Sequence, residues 1–230
     1  LIFSSTSGPL FMIGAVAIGM MGSKEGGIII LISHYIAAFL LGLCFRYYKN
    51  QHNFCPKYKK PRDKKQLPGL KQALYSLNKA RSEDGRPIGQ IMGDAVRSSV
   101  NVLLVVGGFI MLFSVIINLL MHLHIIDWLT YLVSVPMKPF TTEQPLIRAL
   151  TGGLFEVTTG CKMISETAVT MQAKITAASF IIGWSGLSIH AQSASLLSGT
   201  SIKISIYILG KFLHGLLAAI ISLPITSLLY

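Results

Sequence analysis

Residues 174–199, KITAASFIIGWSGLSIHAQSASLLSG, form two apolar segments that are interrupted by Gly183, Trp184, Ser185 and Gly186. Each segment is shorter than the roughly 20 apolar residues that a helix needs to cross a bilayer. Such a break is tolerated at membrane depth only where the freed backbone groups face protein or a water-filled cavity. Because discontinuous helices hold the substrate and ion sites of many transporters, we predict that this stretch forms half of a solute pathway.

Several other segments are apolar enough to be membrane helices. The chain is 52% hydrophobic and only 13% charged, with a mean hydropathy of +0.60, which is typical of a polytopic membrane protein rather than a soluble domain. We predict a half-helix that ends near Met21, an interfacial helix over residues 125–135, and full spans over residues 26–48, 88–122 and 202–229. The sequence therefore predicts an all-α polytopic membrane protein.

The charged residues are concentrated in one polar loop, residues 49–87. Most of the 20 lysines and arginines lie between Arg46 and Arg97. A basic loop between apolar segments indicates a cytoplasmic location, and contact with anionic lipid headgroups is a second role for it. Nucleic-acid binding is the weaker interpretation of this charge, and we expect no nucleic-acid partner. Within the loop, residues 70–77 are predicted to form a short surface helix.

The three cysteines, Cys44, Cys55 and Cys161, are scattered and have no CxxC spacing. Neither a disulfide framework nor a zinc site follows from them. The sequence also has no P-loop and no nucleophile–base–acid arrangement that can be read from its motifs. We therefore expect no catalytic residues, no metal site and no cofactor, and we do not expect an enzyme.

Two parts of the chain echo each other. A Ser/Gly break that includes Ser7 and Gly8 precedes a half-helix and then a full span with His34, just as the 183–186 break precedes a half-helix and a span with His214. If residue 48 is cytoplasmic, the predicted membrane crossings give the two copies opposite orientations across the membrane. This is the arrangement of an inverted-topology repeat. The chain begins inside an apolar element, so we expect a preceding N-terminal portion that completes the first copy.

The two copies and the basic loop give three predicted regions. Residues 1–48 are the end of the first repeat, residues 49–87 are the cytoplasmic loop, and residues 88–230 are the second repeat. In the second repeat, residues 145–169 are too polar for a simple span, and we interpret them as a re-entrant hairpin broken at Gly152-Gly153 and at Thr158-Thr159-Gly160. Gly107 and Gly108, by contrast, are interpreted as a point of close helix packing.

Glu156 is the most informative polar residue of the hairpin. A carboxylate at membrane depth is costly and is by default a functional hypothesis. It is a candidate for proton or Na⁺ coupling, or for orienting the turn; the alternative is that it caps the following helix and closes the hairpin. The N–H groups of Thr158 and Thr159, at a helix start, are predicted to attract a substrate carboxylate.

The second break supplies the other candidate binding residues, Ser185, Gly186, His190 and Gln192, with Ser7 and Gly8 as counterparts in the first copy. His190 is suited to bond a substrate carboxylate or to take up a proton, although a lone buried histidine is often a packing residue. Gln192 is as well suited to an interhelical hydrogen bond as to binding the substrate. Lys211, inside the last span, is expected to neutralise Glu156 or a substrate anion. The alternative is that the edge of this span lies further inside the sequence than residue 202.

Several blocks of the sequence resemble one family. SSTSGPLFMIGAVAIGMM with HYIAAFLLGL, then GGLFEVTTGCKMIS, then IIGWSGLSIHAQSASLL with KFLHGLLAA, are similar to the YlbJ (SpoVV) family of sporulation integral membrane proteins, which carries the nucleoside-recognition Gate domain. The resemblance implies a spore-forming bacterium and location in the outer forespore membrane. It also implies movement of dipicolinic acid from the mother cell towards the forespore.

Three functions are compatible with these features. The first is transport of a small anionic metabolite, with dipicolinic acid as the implied solute and H⁺ or Na⁺ as the coupling ion. The second is transport of a nucleoside or another small solute, which the Gate-type resemblance also permits. The third is a membrane scaffold that recruits partners through residues 49–87 without conducting anything. A homo-oligomer is compatible with all three.

Overall fold

A computed structural model describes residues 5–49, 69–197 and 204–230, and within these ranges every regular element is a helix. In chain order the elements are a π-helix (Leu10–Met20), α1 (Lys24–Lys49), α2 (Gly69–Asp84), α3 (Ile88–His122), α4 (Ile125–Met137), α5 (Gln144–Phe155), α6 (Val157–Glu166), α7 (Met171–Trp184), α8 (Gly186–Leu197) and α9 (Ile204–Leu229).

Three of these helices are long and apolar enough to cross a membrane. They are Lys24–Arg46, Ile88–His122 and Ile204–Leu229, which fall where the sequence predicts full spans. The π-helix and α4 are shorter apolar helices, which agrees with the predicted lengths, while the interfacial position of α4 stays a prediction. The prediction of an all-α membrane protein is confirmed.

One of two compact units, Lys49–Val105, contains α2 and the first part of α3. The predicted surface helix is longer than expected and runs over Gly69–Asp84, while residues 50–68 lie outside the described residues. After α2, the Arg86 guanidinium donates hydrogen bonds to Asp84 and, at 2.8 Å, to Asp94. The hydrogen bond from Arg86 holds the pKa of the Asp84 carboxyl below its usual value.

The other unit, Leu1–Tyr48 with Val106–Tyr230, holds the buried core. Apolar side chains of the π-helix, α1, α5, α6 and α7 pack together there, among them Met12, Ile29, Leu150, Cys161 and Ile181. The sequence predicts region boundaries at residues 48 and 87. The first coincides with a unit boundary, whereas the second unit boundary lies between Val105 and Val106, within α3.

The predicted hairpin of residues 145–169 consists of α5 and α6, which are joined by the single residue Glu156 in an extended conformation. Gly152-Gly153 lies inside α5 and Thr158-Thr159-Gly160 inside α6, so the prediction that these two segments break the hairpin is wrong. They are contact points instead, because a Cβ added to Gly160 would lie 2.2 Å from the Gly153 Cα. Small residues allow two helix backbones to approach this closely.

Gly107 and Gly108 do not have this role in the described residues. A Cβ added at either position meets no atom within 4 Å. The interpretation of these two glycines as a close packing point is therefore wrong for the part of the chain that the structure describes. A Gly-Gly pair in an apolar helix has the same appearance in sequence whether or not another helix lies against it.

The internal echo has a structural counterpart. His34 and His214 occupy the same position, counted from Lys24 and Ile204, in two helices of 26 residues each. Their rings lie against each other, with centroids 4.4 Å apart. Equivalent residues of two repeats meet in this way when a pseudo-two-fold axis passes between them. This contact supports the predicted repeat, while the opposite direction of its two copies stays a prediction.

Candidate functional site

The two helix breaks of the second repeat lie against each other. The break predicted at residues 183–186 is narrower in the structure, because α7 continues to Trp184 and the chain turns at Ser185 and Gly186. A Cβ added to Gly186 would lie 3.1 Å from the Phe155 carbonyl oxygen and 3.3 Å from the Glu156 Cα. The indole Nε1 of Trp184 adds a hydrogen bond of 3.0 Å to the Leu154 carbonyl. The structure therefore brings Glu156, Ser185 and Gly186 together at one junction.

The junction has a backbone conformation that an ordinary residue avoids. Ser185 has φ 75° and Gly186 has φ 73°, both in the left-handed region. For a non-glycine residue this conformation costs about 1–3 kcal/mol and persists only where the surrounding structure enforces it. The buried hydroxyl of Ser185 donates to the Ile182 carbonyl of its own helix at 3.3 Å. Ser185 is therefore a residue of the turn, and its hydroxyl is already engaged.

Glu156 caps the start of α6. Its side chain is 1% exposed, and its two carboxylate oxygens accept hydrogen bonds from the Thr158 N–H at 2.9 Å and the Thr159 N–H at 2.6 Å. This is the capping alternative that the sequence left open. The prediction that these two N–H groups meet a substrate carboxylate is wrong, because the carboxylate of Glu156 already occupies the positive end of the helix.

A second group of polar residues lies between α8, α9 and the start of the chain. We call it the Lys211 cluster and define it as Ser5, His190, Ser193, Tyr207 and Lys211. Lys211 Nζ donates to the Ser5 carbonyl oxygen. The Tyr207 hydroxyl lies 3.0 Å from the Ser193 Oγ, which donates to it, and 3.2 Å from the Ser5 Oγ. The first copy of the repeat therefore meets the second copy at this cluster.

His190 is buried, with 4% of its surface exposed. Its ring packs edge-on against Trp184, with centroids 4.3 Å apart, and against Tyr207 at 5.7 Å. Neither of its ring nitrogens makes a hydrogen bond of good geometry among the described residues, although the Trp184 backbone lies close enough to interact with the ring. Gln192, in contrast, donates to the Ser188 hydroxyl of its own helix at 3.4 Å, and its amide forms no interhelical hydrogen bond with the residues that the structure describes.

Ser7 contacts the pair of rings formed by His34 and His214. Its backbone N–H donates to the His34 Nε2 at 3.2 Å, and the His214 Nε2 lies 3.0 Å from the His34 carbonyl oxygen. From these partners we infer that His34 carries its proton on Nδ1 and His214 on Nε2. Gly8 is exposed, and a Cβ there would meet no described atom within 4 Å. The Gly8 carbonyl oxygen accepts hydrogen bonds from the Phe11 N–H at 3.1 Å and the Met12 N–H at 3.2 Å, so Gly8 belongs to the start of the π-helix, whereas Ser7 contacts the histidines.

Sequence reasoning missed Tyr207 and Ser193, and it did not choose between the roles of Lys211. Tyr207, Lys211 and His214 are spaced by four and three residues, which places them on one face of a helix. This spacing was the available signal for a polar stripe within an apolar span. Lys211 forms no ion pair with Glu156, the other buried charged side chain among the described residues.

Comparison with curated proteins identifies a sporulation protein as a relative. The chain is 38% identical over 228 residues to "Sporulation integral membrane protein YlbJ" of Bacillus subtilis (strain 168). The match covers 99% of this chain and 55% of that protein, so the chain spans about half the length of the relative. No family model matches the chain, and no solved structure matches it either. The resemblance predicted from the sequence blocks is confirmed for YlbJ, and the Gate domain stays a prediction.

Proposed function

Over nearly its whole length the chain is a relative of the sporulation integral membrane protein YlbJ, and from this premise we propose that it forms part of a membrane pathway for a small anionic metabolite during endospore formation. The proposed solute is dipicolinic acid, as the resemblance implies, and the proposed location is the outer forespore membrane. A proton or Na⁺ is the proposed coupling ion.

The observation that carries this proposal is the junction of two broken helices. The break at Glu156 and the break at Ser185-Gly186 lie in direct contact inside an otherwise apolar helical protein. Irregular backbone at membrane depth is found where it is buried in protein or lines a water-filled cavity. Two such breaks that meet are typical of the substrate sites of secondary transporters.

The sign of the buried charge favours an anion. Lys211 is buried without a carboxylate partner among the described residues, whereas the negative charge of Glu156 is balanced by the N-terminal end of α6. A positively charged group within a membrane protein attracts solutes of negative charge. A solute that carries a carboxylate fits this arrangement better than a neutral nucleoside does.

Dipicolinate uptake into proteoliposomes tests the proposal, with a proton gradient or a Na⁺ gradient imposed in separate arms. We expect His190→Ala to lower uptake about tenfold or more, the factor that one lost hydrogen bond to a charged group supplies. Ser227→Ala, at an exposed position of α9, serves as the matched control and is expected to leave uptake unchanged. Absence of dipicolinate uptake by the folded wild-type protein under both gradients would contradict the proposal.

Glu156→Gln is expected to lower uptake through the shape of the junction. The glutamine side chain has one accepting oxygen in place of two and no charge, so one of the two hydrogen bonds to the α6 start is lost. We expect a loss of about 1 kcal/mol in stability, the usual contribution of a helix cap, together with reduced uptake. Tm in detergent and uptake are measured on the same preparation; uptake at the wild-type level would remove Glu156 from the pathway.

Two other results would redirect the assignment. Uptake of nucleosides without uptake of dipicolinate would favour the nucleoside carrier that the Gate-type resemblance permits. If charge-neutralising substitutions in residues 49–87 abolished sporulation, while His190→Ala and Glu156→Gln left it intact, the scaffold function would be favoured.

A further inference from the structure

Lys211 carries a buried charge that the described protein groups do not neutralise. It lies within the apolar helix α9 with 1% of its surface exposed, and its Nζ donates to the carbonyl oxygen of Ser5, a neutral acceptor. It forms no ion pair with the acidic side chains of the described residues. A charged side chain at this depth is unfavourable unless an opposite charge or further hydrogen bonds compensate it. A bound anion would supply that compensation.

The neighbours of Lys211 are hydrogen-bond donors that can serve the same anion. Tyr207 is one helical turn before Lys211 and therefore on the same face of α9. Its hydroxyl is shared between Ser193 at 3.0 Å and Ser5 at 3.2 Å. Hydroxyl hydrogens rotate to suit an incoming acceptor, so three hydroxyl groups next to one ammonium can be turned towards a carboxylate.

His190 is an independent sign that the cluster is incomplete. The residue is only 4% exposed, yet neither of its ring nitrogens makes a hydrogen bond of good geometry in the described part of the chain. Most buried side-chain polar atoms in folded proteins have a partner. The ring lies edge-on to Tyr207 at a centroid distance of 5.7 Å, which places it beside the other members of the Lys211 cluster.

We propose that the Lys211 cluster binds the carboxylate group of a small organic acid. The ammonium of Lys211 supplies one positive charge, which balances one carboxylate, and His190, Ser193 and Tyr207 supply neutral hydrogen bonds. The rings of Trp184 and Tyr207, which pack edge-on against His190, are the aromatic neighbours of this site. The inference rests on the proposed function, for which it names the group that recognises the solute.

Equilibrium binding to the full protein in nanodiscs tests the site without requiring transport. The probes are dipicolinate, benzoate and the neutral diamide of dipicolinic acid, and the discs contain phosphatidylcholine alone. We expect the two acids to bind, the diamide not to bind, and Lys211→Met to weaken binding of the acids by about tenfold to a hundredfold, because a hydrogen bond to a charged group is lost. Lys174→Met is the matched control, since Lys174 also donates to a backbone carbonyl, that of Ser165 at 2.8 Å.

Each result separates the site from the transport function. If Lys211→Met and the wild type bind the acids equally, the site is refuted even where dipicolinate uptake stands. Lys211-dependent binding of benzoate without dipicolinate uptake keeps the site and refutes the function. If Lys211→Met does not fold, Tyr207→Phe takes its place, with a several-fold weaker binding expected. Binding of acids that phosphatidylglycerol discs suppress would assign the site to an anionic lipid headgroup and overturn the proposal.

Discussion

Replacing Gly160 by alanine is expected to destabilise the protein by about 3 kcal/mol or more. The added Cβ would lie 2.2 Å from the Gly153 Cα and 2.7 Å from its backbone nitrogen, distances at which the backbones of α5 and α6 must move apart. Overpacking against atoms that can relax costs about 1–3 kcal/mol, and here the obstructing atoms are backbone. For a chain of this size, such a loss corresponds to a Tm lower by roughly 10 °C.

Gly108→Ala is the matched control, because Gly108 also lies inside a helix but a Cβ there meets no described atom within 4 Å. In that position alanine is expected to be neutral or slightly stabilising, by up to about 1 kcal/mol, since alanine has the higher helix propensity. Thermal unfolding of both variants is measured in detergent. Equal Tm values for the two variants would contradict the close contact of α5 and α6.

Gly186→Ala is expected to be the most damaging small substitution for transport. Alanine at φ 73° costs about 1–2 kcal/mol. Its Cβ would in addition press against the Phe155 carbonyl oxygen and the Val157 nitrogen, each at 3.1 Å. Because these atoms belong to the other break, the substitution pushes the two breaks apart. We expect at least a tenfold loss of dipicolinate uptake, on the order of the loss that an ångström-scale displacement causes at a binding site.

Gly22→Ala separates the effect of a positive φ from the effect of the contact between the two breaks. Gly22 has φ 67°, close to that of Gly186, but a Cβ there has no described neighbour within 4 Å. This variant is expected to lose only the conformational contribution, about 1–2 kcal/mol in stability, and to keep its uptake. If Gly22→Ala and Gly186→Ala lowered uptake to the same extent, the contact between the two breaks would not be the cause.

The sequence by itself determined the elements. Runs of apolar residues long enough to cross a bilayer locate α1, α3 and α9, because helix formation and membrane crossing depend on local composition and length. A break within residues 183–186 also follows from the sequence, since glycine and serine that cluster in an apolar helix interrupt it. Glu156 was recognised as important because a carboxylate is costly at that depth.

Only the tertiary structure decided which of these groups meet. Gly153 and Gly160 look like helix breakers in sequence, yet they are contact points, because the identity of the facing helix is not encoded locally. The carboxylate of Glu156 caps its own helix, whereas Lys211, 55 positions further along the chain, lies against Ser5 near the other end. Partners this distant in sequence are chosen by packing, and packing depends on every helix at once. The composition of the chain thus determined a helical membrane protein, and its packing determined the site.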